Sequence, residues 1–162
     1  LEGWINYYMA GNSIDQIADL FYNAGVIYSA QTGYSESMTN GDFVRLIYAN
    51  VLGRTGSNAP SDSDVQWWAN CLSTGAQTRG TLLKTILDAA HTYKGHATWG
   101  WVPDLLDNKI SVGKLFAVTD AITYNTPAES ISRGMEIAAA VTATDTSAAI
   151  KLIGVSTDLS VV

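Results

Sequence analysis

One short pattern occurs twice in this sequence, and the repeat limits the folds that the chain can adopt. Trp4-x-Asn6-x-Tyr8-x-x-Gly11 returns 64 positions later as Trp68-x-Asn70-x-Leu72-x-x-Gly75, and 65 positions separate Ile17, Phe21 and Ala24 from Leu82, Ile86 and Ala89. Repeated helical units bury their apolar faces against one another, which is typical of scaffolds. We therefore predict two copies of one helix–Gly–helix unit, with Trp4 and Trp68 at equivalent positions. The repeat favours a structural or binding role over catalysis.

Length and composition predict one folded domain of ordinary size and exclude several classes of function. The 162 residues are 47% hydrophobic, which is enough for a core. The net charge of −6, with nine basic residues, excludes a nucleic-acid-binding protein, because phosphate contacts need clustered Lys and Arg. No apolar run of about 18 residues is present, so we predict no membrane span. Cys71 is the only cysteine and is best explained as a small buried apolar group.

Signals for helix starts and stops predict an all-α fold. Ser13 and Gln16 have the spacing of a capping box, and Thr126-Pro127-Ala128-Glu129 joins an N-cap to a proline at the first helical position. Further helices are predicted to be capped by Asn40, by Ser61 or Asp62, and by Asp145, and another to open at Thr78. Pro103 would lie in the first turn of a long helix that reaches about Tyr124, and residues 25–39 would be mainly a connection.

These elements predict a single domain of about seven helices over residues 1–154. It would contain two helix–turn–helix repeats, a long closing helix and a C-terminal helical pair. Because the sequence begins inside the first copy of the pattern, we expect that copy to be truncated at its N-terminus. Residues 155–162 would form a tail or a linker to a following domain.

Two segments resemble a helical repeat family of unknown function. They are Phe43-x-x-x-x-Tyr48-x-x-Val51-Leu52-Gly53-Arg54, followed by the Trp68 helix and Gly75, and Asn108-Lys109-x-x-Val112-Gly113-x-x-Phe116-Ala117-Val118-Thr119, which is similar to the family's closing helix. The family occurs in bacterial surface-layer proteins and in large exported proteins with calcium-binding RTX repeats. The resemblance implies an extracellular, cell-surface location. It also implies a non-catalytic module that anchors to cell-envelope polysaccharide or lipopolysaccharide, with other copies of the parent protein as further partners.

An aromatic loop is the leading candidate for such binding. Tyr93, His96, Trp99 and Trp101 lie close together around Gly95, before the Pro103 helix. Sugars present apolar C–H faces that stack on flat aromatic rings, and loops on a rigid scaffold often carry recognition. The alternative is that Trp99 and Trp101 fill the core between the repeats and the last helices, because large aromatic side chains usually bury most of their surface.

Metal-binding patterns are weak. Asp62-Ser63-Asp64 has the alternate oxygen ligands that begin a calcium loop, but it lacks the Gly and Glu that complete an EF-hand. Capping of a helix explains these residues more simply. His91 and His96 have no carboxylate or thiol at the spacing of a zinc motif. Calcium at Asp62 and Asp64 is therefore the one cofactor that we carry forward.

Two other classes of function stay open. A purely structural module for protein–protein assembly or spacing is the first. The second is a cell-wall glycan hydrolase, which needs two carboxylates across one sugar bond. Asp104 and Asp107, like Asp15 and Asp19, would share a helix face. Ordinary solvated helix charges explain both pairs better, so we predict no catalytic residue.

Overall fold

Helices are the regular elements of the chain as the computed structural model describes it. The described residues are 2–119, 122 and 124–154, with the backbone alone for residues 2–4 and 119. Among them lie nine α-helices and no strand: α1 (Glu2–Met9), α2 (Ile14–Ile27), α3 (Ser29–Thr32), α4 (Asn40–Asn50), α5 (Asp62–Ser73), α6 (Arg79–His91), α7 (Trp101–Lys114), α8 (Pro127–Ala139) and α9 (Ser147–Ile153). Gly56–Asn58 is a 3-10 turn, and Leu115–Thr119 continues α7 as a π-helical turn. The predicted all-α class is confirmed.

The chain divides into two compact units, Leu1–Tyr93 and Lys94–Val162. The first contains α1 to α6 and therefore both copies of the repeat. The second contains α7, α8 and α9. Each unit has its own packing, which is described separately below.

The two copies of the repeat have the same local backbone. Helices α1 and α5 both end two residues before a glycine, Gly11 or Gly75, whose φ is 90° or 71°. Such a left-handed residue lets the chain leave a helix, and glycine adopts it without a steric penalty. The following helices, α2 and α6, are capped by Ser13 and Thr78. These two residues are 65 positions apart, and both form capping boxes. The predicted helix–Gly–helix unit is therefore present twice.

In the second copy, α4 covers the hairpin of α5 and α6. The indole Nε1 of Trp68 donates to the hydroxyl of Tyr48 on α4 at 3.1 Å. Gly41 also faces α5, where a Cβ at this position would make an ordinary contact with Cγ1 of Val65, at 3.7 Å. The largest fully buried side chains of the first unit are on α4 and α6: Phe43, Val44, Ile47, Leu82 and Ile86. Trp68 therefore packs against the helix that contains Phe43.

The second helices of the two copies, α2 and α6, pack directly against each other. Gly80 on α6 makes this possible, because a Cβ at that position would be 2.5 Å from backbone atoms of Ala18 and Asp19. Real Cβ atoms do not approach backbone atoms so closely. Thr78 also donates from its hydroxyl to the carboxylate of Asp19. The contact therefore joins the two copies backbone to backbone.

Arg79 connects four segments of the first unit. Its guanidinium donates to the hydroxyl of Tyr22 at 2.7 Å and to the carbonyl oxygens of Ser35 and Met38 at 2.9 and 2.5 Å. It also lies over the ring of Phe43, 5.2 Å from the centroid. The planar donor fork of arginine suits several carbonyl acceptors at once. A single side chain thus ties α6 to α2, to α4 and to the loop before α4.

The second unit has a small apolar core. Its buried members are Leu105, Val112, Ile137, Val141, Ala149 and Ile153. Asn108 on α7 donates from Nδ2 to the carbonyl oxygens of Thr142 and Ala143, at 2.9 and 3.1 Å. These bonds fix the turn between α8 and α9 against α7.

The segment predicted as a connection, residues 25–39, is partly helical. Helix α2 continues through Gly25 to Ile27, and α3 follows. The ring of Tyr34 packs on Gly25, where a Cβ would be 2.9 Å from Cδ2. Gly25 thus makes room for an aromatic ring and does not end the helix. The short helix α3 is one reason that the described residues contain nine helices and not about seven.

Three other predicted boundaries are wrong, two of them by one residue and the end of α7 by about ten. Thr39, not Asn40, caps α4, because its hydroxyl accepts from the backbone N–H of Asp42 at 3.1 Å. Thr146, not Asp145, is the N-cap of α9, although the Asp145 carboxylate accepts from Ser147 N–H. Helix α7 ends at Lys114, before the π-helical turn, and does not reach Tyr124. The predicted tail, 155–162, and the side chain of Trp4 lie outside the described residues.

Candidate functional site

The predicted aromatic loop is organised by His96 and Gly100. Nδ1 of His96 accepts from the backbone N–H groups of Thr98 and Trp99, both at 3.2 Å. Gly100 donates to the carbonyl oxygen of His96 at 2.8 Å, and a Cβ on Gly100 would be 2.6 Å from that oxygen. The His96 ring therefore holds the turn that leads into α7, which is a structural task for one of the four predicted binding residues.

The structure places the other aromatic residues in different surroundings. Trp101 is the first residue of α7 and packs against the core of the second unit. Trp99 is partly buried. Tyr93 belongs to the first unit and is 45% exposed. Trp101 fits the core-filling alternative, and Tyr93 keeps the exposed ring that sugar stacking needs. Glycan binding by these four residues stays a prediction.

Both residues of the predicted calcium site have structural partners. Asp62 forms an ion pair with Arg45, with 2.6 Å between the nearest atoms. Asp64 completes the capping box of α5, because its carboxylate accepts from Ser61 N–H while the Ser61 hydroxyl accepts from Asp64 N–H. Across the described residues, no cluster of three or more His, Cys, Asp or Glu has the geometry to hold a metal ion. Calcium binding stays a prediction that would require these contacts to rearrange.

The carboxylate pairs also take part in local contacts. Asp104 and Asp107 both bind the ammonium group of Lys94, at 2.7 and 2.5 Å. Asp19 accepts the hydroxyl of Thr78. Nδ1 of His91 lies 3.0 Å from the carbonyl oxygen of Leu87. These contacts match the interpretation of the charged groups as parts of the helical scaffold.

The most distinctive surface is on α1. Side chains at residues 5–9 are all exposed, and Ile5, Tyr8 and Met9 are exposed by 51%, 57% and 77%. Their counterparts 64 positions later lie in α5, where Ala69 is only 7% exposed and Leu72 is partly buried. Ile5 and Tyr8 are thus more exposed than their counterparts Ala69 and Leu72, whereas Met9 and its counterpart Ser73 are both exposed. We call Ile5, Tyr8 and Met9 the α1 face.

The α1 face carries no charge, and α2 also has exposed apolar side chains. No residue between Gly3 and Ile14 is acidic or basic, although the whole chain has a net charge of −6. Ile14 and Phe21 on α2 are each about half exposed. Clusters of exposed apolar side chains commonly mark interaction surfaces. Sequence reasoning missed this face because it assigned both copies of the repeat the same buried surfaces.

No helix in the described part of the chain is both long and apolar enough to cross a bilayer.

Comparison with known proteins gives one partial match. No curated protein matches the chain, and no solved structure matches it. Residues 27–93 match the model of a domain of unknown function, DUF4214, which spans less than half of the chain and includes α3 to α6. This part of the chain is therefore similar to a family whose function is undetermined.

Proposed function

We propose that this chain is a non-catalytic helical module for protein–protein assembly, and that the α1 face is its contact surface. One observation carries the proposal. Ile5 and Tyr8 are more than half exposed, whereas of the equivalent residues of α5 Ala69 is buried and Leu72 is partly buried. A repeat unit is stabilised by covering this surface, so the uncovered copy offers a binding site of the same kind.

The size of the face predicts a contact of modest strength. Full burial of one large apolar side chain contributes about 1.5–3 kcal/mol. Ile5, Tyr8 and Met9 could supply several such contributions. Association also costs translational, rotational and side-chain freedom, about 4–15 kcal/mol in total. We therefore expect association of modest strength, in which the bound fraction rises clearly with the protein concentration.

Sedimentation velocity at increasing protein concentration tests the proposal. An uncovered apolar face that binds no other protein is expected to pair with a second copy, so the sedimentation coefficient should rise. The double variant Ile5→Asp, Tyr8→Asp should remain monomeric, because charges cannot be buried without compensation. Leu152→Asp, at an exposed apolar residue of the second unit, is the matched control and should associate like the wild type. A wild-type chain that stays monomeric throughout would contradict the proposal.

Glycan binding is the second candidate, and the exposed ring of Tyr93 favours it. The resemblance to regions of surface-layer proteins supports cell-envelope polysaccharide or lipopolysaccharide as the ligand and an extracellular location for the parent protein. A glycan array probed with the intact chain tests this candidate. Binding that is lost in Tyr93→Ala but kept in Tyr8→Ala would favour it over assembly. Repeating the array with and without calcium would test the site at Asp62 and Asp64.

A further inference from the structure

Trp67 on α5 is largely exposed to solvent, unlike its neighbour Trp68. It is 59% exposed, whereas Trp68 is 9% exposed and Trp99 and Trp101 are partly buried. The repeat does not require a tryptophan at this position, because the residue 64 positions earlier is Gly3. Large aromatic side chains usually bury most of their surface. The exposure of Trp67 therefore has a reason other than the packing of the hairpin.

The ring of Trp67 is held in a fixed orientation by its neighbour. Its centroid lies 4.3 Å from that of the Trp68 ring, and the two planes meet at 75°. Aromatic rings prefer such edge-to-face arrangements. Trp68 is itself buried and donates from Nε1 to the hydroxyl of Tyr48 on α4. Helix α5 thus presents a preorganised flat surface to solvent, and preorganisation lowers the cost of binding.

Polar groups flank this ring along the exposed side of α5. Asp64 precedes Trp67 by three residues and Asn70 follows it by three, and residues at this spacing are neighbours on a helix surface. One carboxylate oxygen of Asp64 accepts from Ser61 N–H, and the other makes no hydrogen bond among the described residues. Oδ1 of Asn70 accepts from Nε2 of Gln66 at 2.8 Å, which leaves Nδ2 of Asn70 as a donor without a partner in the same part of the chain. The ring therefore has an acceptor on one side and a donor on the other.

We propose that Trp67 is the centre of a binding site for neutral saccharides. A pyranose ring has an apolar C–H face, which stacks on an indole, and hydroxyl groups at its edge, which both donate and accept hydrogen bonds. Asp64 accepts from one hydroxyl, and Asn70 donates to another. An anionic sugar is disfavoured by the Asp64 carboxylate and by the net charge of −6. A cationic ligand would leave the Asn70 donor unused, so a neutral sugar satisfies more of the site.

This site does not depend on assembly through the α1 face, and it differs in its residues from the glycan candidate at Tyr93. Trp67 lies on α5, within residues 27–93, the segment that matches a family model. Variants at Trp67, at Tyr93 and on the α1 face therefore separate the three proposals experimentally.

A glycan array that holds both neutral and anionic glycans, probed with the 162-residue protein, tests the inference. Trp67→Ala removes the ring, and Asn70→Ala removes the donor. Tyr8→Ala is the matched control, because it removes an aromatic ring of similar exposure, 57%, from α1. Circular dichroism checks that each variant keeps its helix content. Isothermal titration calorimetry then measures the affinity of each variant for the neutral glycans that bind.

The inference predicts binding of at least one neutral glycan and weaker binding of its sulfated or uronic-acid counterparts. Trp67→Ala should lower the affinity about tenfold or more and Asn70→Ala about two- to tenfold, whereas Tyr8→Ala should bind like the wild type. No binding of neutral glycans, a preference for anionic glycans, or equal binding by Trp67→Ala would overturn the inference.

Two results distinguish this inference from the other proposals. Binding that is lost in Tyr93→Ala but kept in Trp67→Ala would overturn it and support the candidate at Tyr93. Self-association through Ile5 and Tyr8 is measured by sedimentation, so the assembly proposal stands or fails without regard to the sugar-binding result.

Discussion

Two polar side chains hold much of the first unit together through bonds to groups far away in sequence. Tyr48 accepts the indole N–H of Trp68, and Arg79 donates to Tyr22 and to two main-chain carbonyl groups. A buried donor or acceptor that loses its partner costs more than an average hydrogen bond contributes. Substitutions at Tyr48 and Arg79 should therefore lower the free energy of unfolding by more than the loss of an average hydrogen bond would.

Replacing Tyr48 with Phe leaves the Trp68 indole without its acceptor. We expect the free energy of unfolding to fall by about 1–3 kcal/mol at neutral pH. Burial raises the pKa of Tyr48 above its ordinary value of about 10, and this effect outweighs the lowering by the bond from Trp68 and by Arg54. Its contribution to stability is thus fully present below the unfolded-state pKa and is lost as pH rises through the folded-state pKa.

Urea unfolding at neutral pH and above pH 10 measures both effects. In Tyr48→Phe, the loss of stability with rising pH should be smaller than in the wild type. Tyr34, whose pKa is also raised, first by burial and then by Tyr22, should account for part of the remaining dependence. If the free energy of unfolding of Tyr48→Phe fell with rising pH as much as that of the wild type, this result would contradict the raised pKa of the Tyr48 hydroxyl.

Arg79→Met should be strongly destabilising, by about 3 kcal/mol, because it leaves carbonyl groups and the Tyr22 hydroxyl without a charged donor. Arg45→Met is the matched control. The Arg45 ion pair with Asp62 is largely exposed to solvent, so its loss should cost at most about 1 kcal/mol. Chemical denaturation of both variants provides the comparison. Equal effects would show that Arg79 does not connect the helices of the first unit as described.

Close helix packing depends on glycine at one position and tolerates alanine at another. Gly80→Ala places a Cβ against the backbone of α2, so we expect a loss of about 1–3 kcal/mol from overpacking. Gly134→Ala in α8 meets no atom within 4 Å and should stabilise the protein by about 0.5–1 kcal/mol through helix propensity. Thermal unfolding of both variants should show shifts in opposite directions. Shifts of the same sign would argue against the α2–α6 contact.

Locally encoded features could be predicted from the sequence, and features set by tertiary contact could not. The caps at Ser13, Thr78 and Thr126 were predicted correctly, and Ser61 is one of the two residues predicted to cap α5, because a cap depends on residues three positions apart. The caps of α4 and α9 were predicted one residue too late and one too early. Gly25 looked like a helix end, since nothing local indicates that the Tyr34 ring packs on it. The end of α7 was missed because apolar residues continue through the π-helical turn.

The candidate site shows the same division. The repeat identified α1 and α5 as equivalent helices, but exposure of Ile5 and Tyr8 depends on which helix covers them. The role of Arg79 gave no sequence signal, because its acceptors include carbonyl groups of Ser35 and Met38, which any residue type could provide. The sequence does not distinguish a His96 side chain that binds a ligand from one that accepts hydrogen bonds within a turn.

The whole molecule contains one hairpin design in two environments. The α5–α6 hairpin is covered by α4, and the α1–α2 hairpin presents its apolar face to solvent. Such exposure is unfavourable in isolation and is explained if another protein chain covers it. The function that we propose follows from this difference between the copies.

Hydrogen–deuterium exchange of the intact chain tests that difference most directly. The backbone amides of residues 6–9 and 70–73 occupy equivalent helical positions and can be compared within one sample. We expect residues 6–9 to exchange much faster than residues 70–73 in dilute protein, and to become protected as the protein concentration rises and copies associate. Equal protection of both segments in dilute protein, or no change at residues 6–9 at concentrations where the sedimentation coefficient rises, would contradict the account.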